Sequence, residues 1–137
     1  MTTAERVYKF SSNTENIRIV ENLVDELVSE YQISEEFYGN ILISLTEAVN
    51  NAIVHGNKLD PNKNVQLVCK VENKTIIFQI EDEGPGFDYD NLPDPTAPEN
   101  IEKPNGRGVF LMRNLADKCA FLEDGKIVEL AFEAISA

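Results

Sequence analysis

The chain of 137 residues is 42% apolar and 26% charged, which suits a single globular domain, taken as residues 1–137, and excludes a fibre, a disordered tail or two domains. Twelve Lys and Arg against 24 Asp and Glu leave a net charge of −12. A field of that sign repels phosphate backbones and anionic membranes, no segment supplies a compensating basic patch, and no nucleic-acid partner is expected. No stretch approaches the roughly 18 apolar residues of a membrane span, nor does the N-terminus carry an apolar leader, so the expectation is a cytoplasmic protein without membrane contact.

A chain of this size buries roughly 68% of its unfolded surface, enough for a core without disulfides or metal. Cys69 and Cys119 stand in strand-like apolar contexts and form no CxxC or zinc pattern, and both are expected as small buried hydrophobes.

Residues 6–11 alternate apolar and polar positions, the mark of a short strand. A helix follows, started by Asn13 or Thr14, with Ile17, Val20, Leu23, Val24, Leu27, Val28 and Tyr31 at the spacing of one buried face. Ser34 opens a second helix with Glu35 and Glu36 in its first turn, and Gly56 is placed to end it. Phe37, Ile41, Leu42, Leu45, Ala48, Val49, Ala52 and Ile53 make most of its circumference apolar, which predicts a largely buried helix. Asn40, Ser44, Glu47, Asn51 and His55 nevertheless fall within about 80° of one another. Short amides, a hydroxyl, one carboxylate and one imidazole suit a polar cavity, whereas long charged chains dominate ordinary solvated faces.

Residues 64–72 and 75–82 read as two strands of an antiparallel hairpin turned at Asn73-Lys74. From Gly84 to Pro104 the chain has five prolines and no helical or strand period, and eight acids lie between Glu81 and Glu102 with no base among them. A loop of that length in a compact domain is functional or disordered. Gly106-Arg107-Gly108 then opens a short helix containing Val109, Leu111, Met112 and Leu115, and residues 118–123 and 126–134 form a hairpin turned by Asp124-Gly125. The order β-α-α-β-β-loop-α-β-β predicts an α+β fold, a two-layer sandwich with helices on one face of a mixed, mostly antiparallel sheet.

Three local signals carry chemistry. Glu47 and Asn51 stand one helical turn apart, so their oxygens can approach a common metal, water or hydroxyl. Asp82-Glu83-Gly84-Pro85-Gly86 closes an apolar strand with an acceptor and two glycines that admit a ligand to the backbone. Gly106-Arg107-Gly108 offers backbone N–H groups at a helix start, a natural phosphate cradle. Each also has a plain structural reading as a solvated helix face, a turn or a chance GxG.

Taken in order, they resemble a known family. Glu47 to Gly56, Glu-Ala-Val-Asn-Asn-Ala-Ile-Val-His-Gly, is similar to the N-box of the Bergerat-fold or GHKL ATPases, the group of gyrase, histidine kinases and MutL. Asp82 to Phe87 resembles their first glycine box and Gly106-Arg107-Gly108 their second, with an ATP lid at about 84–107. The likeness covers residues 6–134. Asn-Ala-Ile-Val-His-Gly, the small size and the Gly-Val-Phe-Leu-Met helix look most like the anti-sigma-factor serine/threonine kinases. The resemblance implies the histidine-kinase-like ATPase fold, with ATP and Mg²⁺ as cofactors.

By that resemblance Asn51 holds Mg²⁺ through its amide oxygen and Asp82 accepts a hydrogen bond from the adenine amino group. Gly84 and Gly86 let base and sugar approach the backbone, and the N–H groups of Gly106 and Gly108 hold phosphate oxygens. Glu47 is the catalytic base that orients and deprotonates an attacking hydroxyl. Lys103 and Arg107 either contact the γ-phosphate on lid closure or balance local acids. His55 braces the end of the second helix rather than reacting. The implied partners are an anti-sigma-factor antagonist protein, the phosphate acceptor, and a sigma factor, with a homodimer as a further expectation. Two other readings remain open: a nucleotide-gated binding module with negligible turnover, which would not need Glu47, and a histidine-kinase catalytic domain. The latter would need a phosphoacceptor in another protein, since His55 is the one histidine.

Overall fold

Five strands and three α-helices make up residues 3–85 and 104–135, the residues that the computed structural model describes. In chain order they are β1 (Thr3–Ser11), α1 (Ile17–Tyr31), α2 (Glu35–Asn51), β2 (Asn64–Glu72), β3 (Thr75–Glu81), α3 (Pro104–Leu115), β4 (Lys118–Leu122) and β5 (Ile127–Phe132). The sheet runs β1-β2-β3-β5-β4, and all four ladders are antiparallel. Among the described residues the sheet is therefore wholly antiparallel, one step beyond the mostly antiparallel sheet expected.

Period-two alternation decides which face each strand buries. In β2, Val65, Leu67, Cys69 and Val71 are buried and their neighbours are not; in β3 the same holds for Ile76, Phe78 and Ile80. Register aligns these inward residues into rows. One row, Tyr8, Leu67, Ile80, Val128 and Phe121, crosses all five strands. The rings of Phe78 and Phe132 meet edge to face at 6.1 Å, and each such buried side chain contributes about 1.5–3 kcal/mol through lost apolar exposure.

The helices cover this inward face. Asn13 starts the first of them: its side chain accepts the Glu15 N–H at 2.9 Å and caps a short 3-10 turn that runs into α1. α1 buries Val20, Leu23, Val24 and Leu27, the expected stripe. Arg6, which points inward at the sheet's edge, pairs with Glu26 and Glu30 of α1, so its charge is not left alone under the helix.

α2 packs against both α1 and α3. It is largely buried, as its composition predicts: Glu35, Glu36 and Ile43, the last 46% exposed, are its exposed residues. Its end departs from a plain helix. After Asn51 the coil widens into a π turn, Ala52–Gly56, closed by the Asn57 N–H on the Ala52 carbonyl at 2.8 Å. At the other end of the domain, a 3-10 turn at Glu123–Gly125 shortens the last hairpin, with Asp124 and Gly125 both at positive φ. No helix among the described residues is long and apolar enough to cross a membrane.

Candidate functional site

The end of α2, the end of β3, the body of α3 and the β4–β5 hairpin enclose a cavity of about 110 Å³. Ala48, Asn51, Ala52, His55 and Gly56 form one side, and Val109 and Met112 of α3 form another. Ile80, Val128 and Phe121, three members of one cross-strand row, floor it, while Asp82 stands at its rim with Gly125 and Lys126. Asn51 and Asp82, distant in sequence, thus share a single cleft. An apolar recess with a few placed polar groups is the form of a small-molecule site.

Asp82 is held from both sides. Its own N–H donates to the Lys126 carbonyl at 3.1 Å, and the next N–H, that of Glu83, donates to Asn57 Oδ1 at 2.7 Å. The carboxylate accepts the Gly84 N–H at 2.8 Å. Burial pushes its carboxyl up from the ordinary aspartate range; the Gly84 N–H, Lys126 and Lys63 pull it back in part, and Glu81 adds to the rise. His55, half-buried in the cavity wall, is displaced the other way, since burial disfavours its imidazolium.

Glycine is required here by space. A β-carbon on Gly56 would meet the Asp82 carboxylate, and one on Gly84 would meet the Gly56 carbonyl. Gly108 packs closely, though less so, on the other wall: a β-carbon there would lie 2.9 Å from Asn51 Nδ2 and 3.0 Å from Glu47 Oε2. The last residue of the second glycine motif therefore sits directly against the acid and amide of α2.

Of the residues singled out from the sequence, Glu47, Asn51, Asp82, Gly84 and Gly108 come together at one end of the molecule. Gly86 and Lys103 lie outside the described residues, as do residues 86–103 of the segment expected as a lid. Gly106 and Arg107 are in the first turn of α3, which begins at Pro104 and not at the glycines. That start leaves the Gly106 N–H in the turn whose donors lack helical partners, and puts Gly108 inside the ladder. In the polar stripe of α2, Asn51 and His55 line the cavity, whereas Ser44 is fully buried and its hydroxyl has no hydrogen-bond partner among the described residues.

Three contributors were not foreseen. Gly56, in sequence a helix end and the last residue of the N-box-like stretch, carries no sign there of its contact with Asp82. Asn57, 1% exposed, ties together four segments that no local pattern connects. The β4–β5 wall depends on β5 lying between β3 and β4, which periodicity cannot report.

A metal would not find a closed set of protein ligands here. No group of three or more His, Cys, Asp or Glu able to hold an ion occurs among the described residues. Mg²⁺ tolerates this, because it is commonly held by one or two protein oxygens with phosphate and water completing its octahedron. The Asn51 amide oxygen, near Gly108, is an oxygen of the type that could serve in this way.

Residues 10–132 match the family described as the histidine kinase-like ATPase domain. The chain is 28% identical over 121 residues to the anti-sigma F factor of Shouchella clausii, covering 86% of this chain and 82% of that protein. It is 31% identical over 114 residues to the anti-sigma F factor of Geobacillus stearothermophilus, covering 80% and 77%. A serine-protein kinase RsbW of Bacillus cereus is 25% identical over 122 residues, covering 85% and 76%.

Proposed function

The chain belongs to the histidine kinase-like ATPase domain family, and from that premise we propose that it is an ATP-dependent serine/threonine kinase acting as an anti-sigma factor. Its phosphate acceptor is a small anti-sigma-factor antagonist protein, and its other partner a sigma factor, in keeping with relatives named anti-sigma F factor and serine-protein kinase. A homodimer through β1, an edge strand of the sheet, is part of the proposal.

The observation that carries the reading is that Asn51 and Asp82 line one cleft while Gly108 packs on Asn51 and Glu47. Adenine would lie on the Ile80–Val128–Phe121 floor with its amino group donating to Asp82. An oxo group at that position would set two acceptors against each other, which selects adenine over guanine. The phosphates would then extend toward α3, where the free N–H groups of its first turn suit anionic oxygens. Asn51 would contribute its amide oxygen to Mg²⁺, whose charge would offset that of the phosphates. Glu47, next to Asn51 and half-buried, would accept the proton of the attacking hydroxyl.

The test is to incubate the protein with Mg-ATP and the candidate antagonist and to locate phosphoserine or phosphothreonine by mass spectrometry. Glu47→Gln keeps the shape and removes the base, so transfer should fall by about 10²–10⁴-fold with ATP affinity within a few-fold of the parent. Undiminished transfer would remove Glu47 from its role. ATP binding with no transfer to any antagonist would favour a nucleotide-gated binding module instead.

A further inference from the structure

Asn57 does not line the cavity, yet it is nearly inaccessible and both polar atoms of its side chain are engaged on the frame of the site. Its Oδ1 accepts the Glu83 N–H at 2.7 Å, and its Nδ2 donates to Ser12 Oγ at 2.9 Å and to the Asn64 carbonyl at 3.0 Å. Ser12 Oγ in turn donates to the Lys63 carbonyl at 2.7 Å. One carboxamide thus links the end of β1, the π turn after α2, the start of β2 and the turn after β3.

The Glu83 N–H belongs to the peptide that follows Asp82. The peptide that precedes Asp82 is fixed by its N–H on the Lys126 carbonyl. With both flanking peptides anchored, φ and ψ of Asp82 are set, and with them the direction of its Cα–Cβ bond. Gly84 and Gly56 then confine the carboxylate itself. We infer that Asn57 is a positioning residue for base selection: it aims the Asp82 carboxylate at the exocyclic amino group of the purine without touching the nucleotide. The inference rests on the reading of Asp82 as the adenine acceptor.

A residue that only stabilised the fold would change the binding of all nucleotides alike. A residue acting through Asp82 changes the ratio between adenine and guanine nucleotides, and only while Asp82 is there to be aimed. Calorimetric titration with Mg-ADP and Mg-GDP of the wild type, Asp82→Asn, Asn57→Ala, Ser12→Ala and the Asn57→Ala/Asp82→Asn double variant separates the cases. The wild type should prefer ADP, and Asp82→Asn should lose that preference. Asn57→Ala should cut the ADP-to-GDP affinity ratio by about tenfold or more, mainly through ADP, and Ser12→Ala by a few-fold. In the double variant the ratio should stay at the Asp82→Asn value.

A wild type with no preference, or an Asp82→Asn that keeps it, would sink the adenine reading and this inference with it. A preference abolished by Asp82→Asn but retained by Asn57→Ala would overturn the inference alone. Should Asn57→Ala fail to fold, Ser12→Ala decides: an unchanged ratio in that variant overturns the positioning role.

Discussion

Gly56 and Asp82 compete for one space: a β-carbon on Gly56 would touch Cγ and Oδ2 of the Asp82 carboxylate and lie 2.8 Å from Oδ1. Gly56 is not among the glycines with positive φ, so what it contributes is absence of volume and not an unusual dihedral. Because the peptides on both sides of Asp82 are anchored, a methyl group at 56 must displace the carboxylate itself. Gly56→Ala is expected to lose about 1–3 kcal/mol of stability in urea denaturation, as overpacking does. It should also weaken ADP binding by about tenfold or more. Parental ADP affinity in a folded Gly56→Ala protein would mean that the carboxylate is not used in that position.

Gly108 offers the opposite balance. It lies inside α3, where alanine is favoured over glycine by about 0.8–1 kcal/mol. The added methyl would press on Asn51 Nδ2 and Glu47 Oε2, ends of side chains that can swing aside. Gly108→Ala should therefore melt at or above the parental temperature while phosphate transfer falls by about tenfold or more, since the two groups that move are the proposed metal donor and base. A destabilised protein with normal transfer would be the reverse of this expectation.

The contrast between these glycines bears on what could be read from the chain. Residues 64–72 and 75–82 were legible as the two strands of one hairpin, because strand composition and the Asn73-Lys74 turn are local signals; the inward face of β2 and β3, with its period of two, is what the fold adds. The spacing of Glu47 and Asn51 likewise placed two oxygens on one side of α2. What remained hidden depends on contacts between distant segments. Nothing local marks Asn57 as a partner of Glu83, Ser12 and Asn64. Phe121 and Val128 become a cavity floor only when β5 inserts beside β3. The apolar composition of α2 announced its burial, but a hydrophobic count does not say that Ile43 is the apolar position left uncovered.

The rise of the Asp82 carboxyl above its ordinary range sets a sign for pH dependence. Acceptance of a hydrogen bond from adenine needs the ionised form, so ADP affinity should be level near neutrality. It should then fall as pH drops through a midpoint above the ordinary value of 3.8. For the free protein the linkage runs the other way. A carboxyl whose folded pKa is raised contributes stability below its unfolded pKa and loses it as pH rises through the folded one. Asp82→Asn should accordingly be more stable than the parent at pH 7 in urea denaturation, and its weakened ADP binding should lack the acid limb. An unchanged acid limb in Asp82→Asn would assign the titration to another group.

The two thiols differ in burial, and that difference should be visible as chemistry. Cys69 lies 2% exposed in the register row between Arg6 and Phe78. Burial pushes its thiol up to about 12, with a small pull downward from Arg6 and a push upward from Glu30. At a given pH its thiolate is about a thousandfold scarcer than that of an exposed cysteine, and thiolate is the reactive form. Cys119 on β4 is partly exposed; burial raises its thiol as well, and Arg113 offsets part of that. Iodoacetamide at pH 8 should add at most one group to the native protein, at Cys119, and two in urea. Each added group is counted by intact mass. Stability linked to the Cys69 thiol is present below the ordinary value of 9.0 and is lost as pH rises toward about 12. Rapid double labelling of the native protein would show that the β2 face opens far more readily than its packing implies.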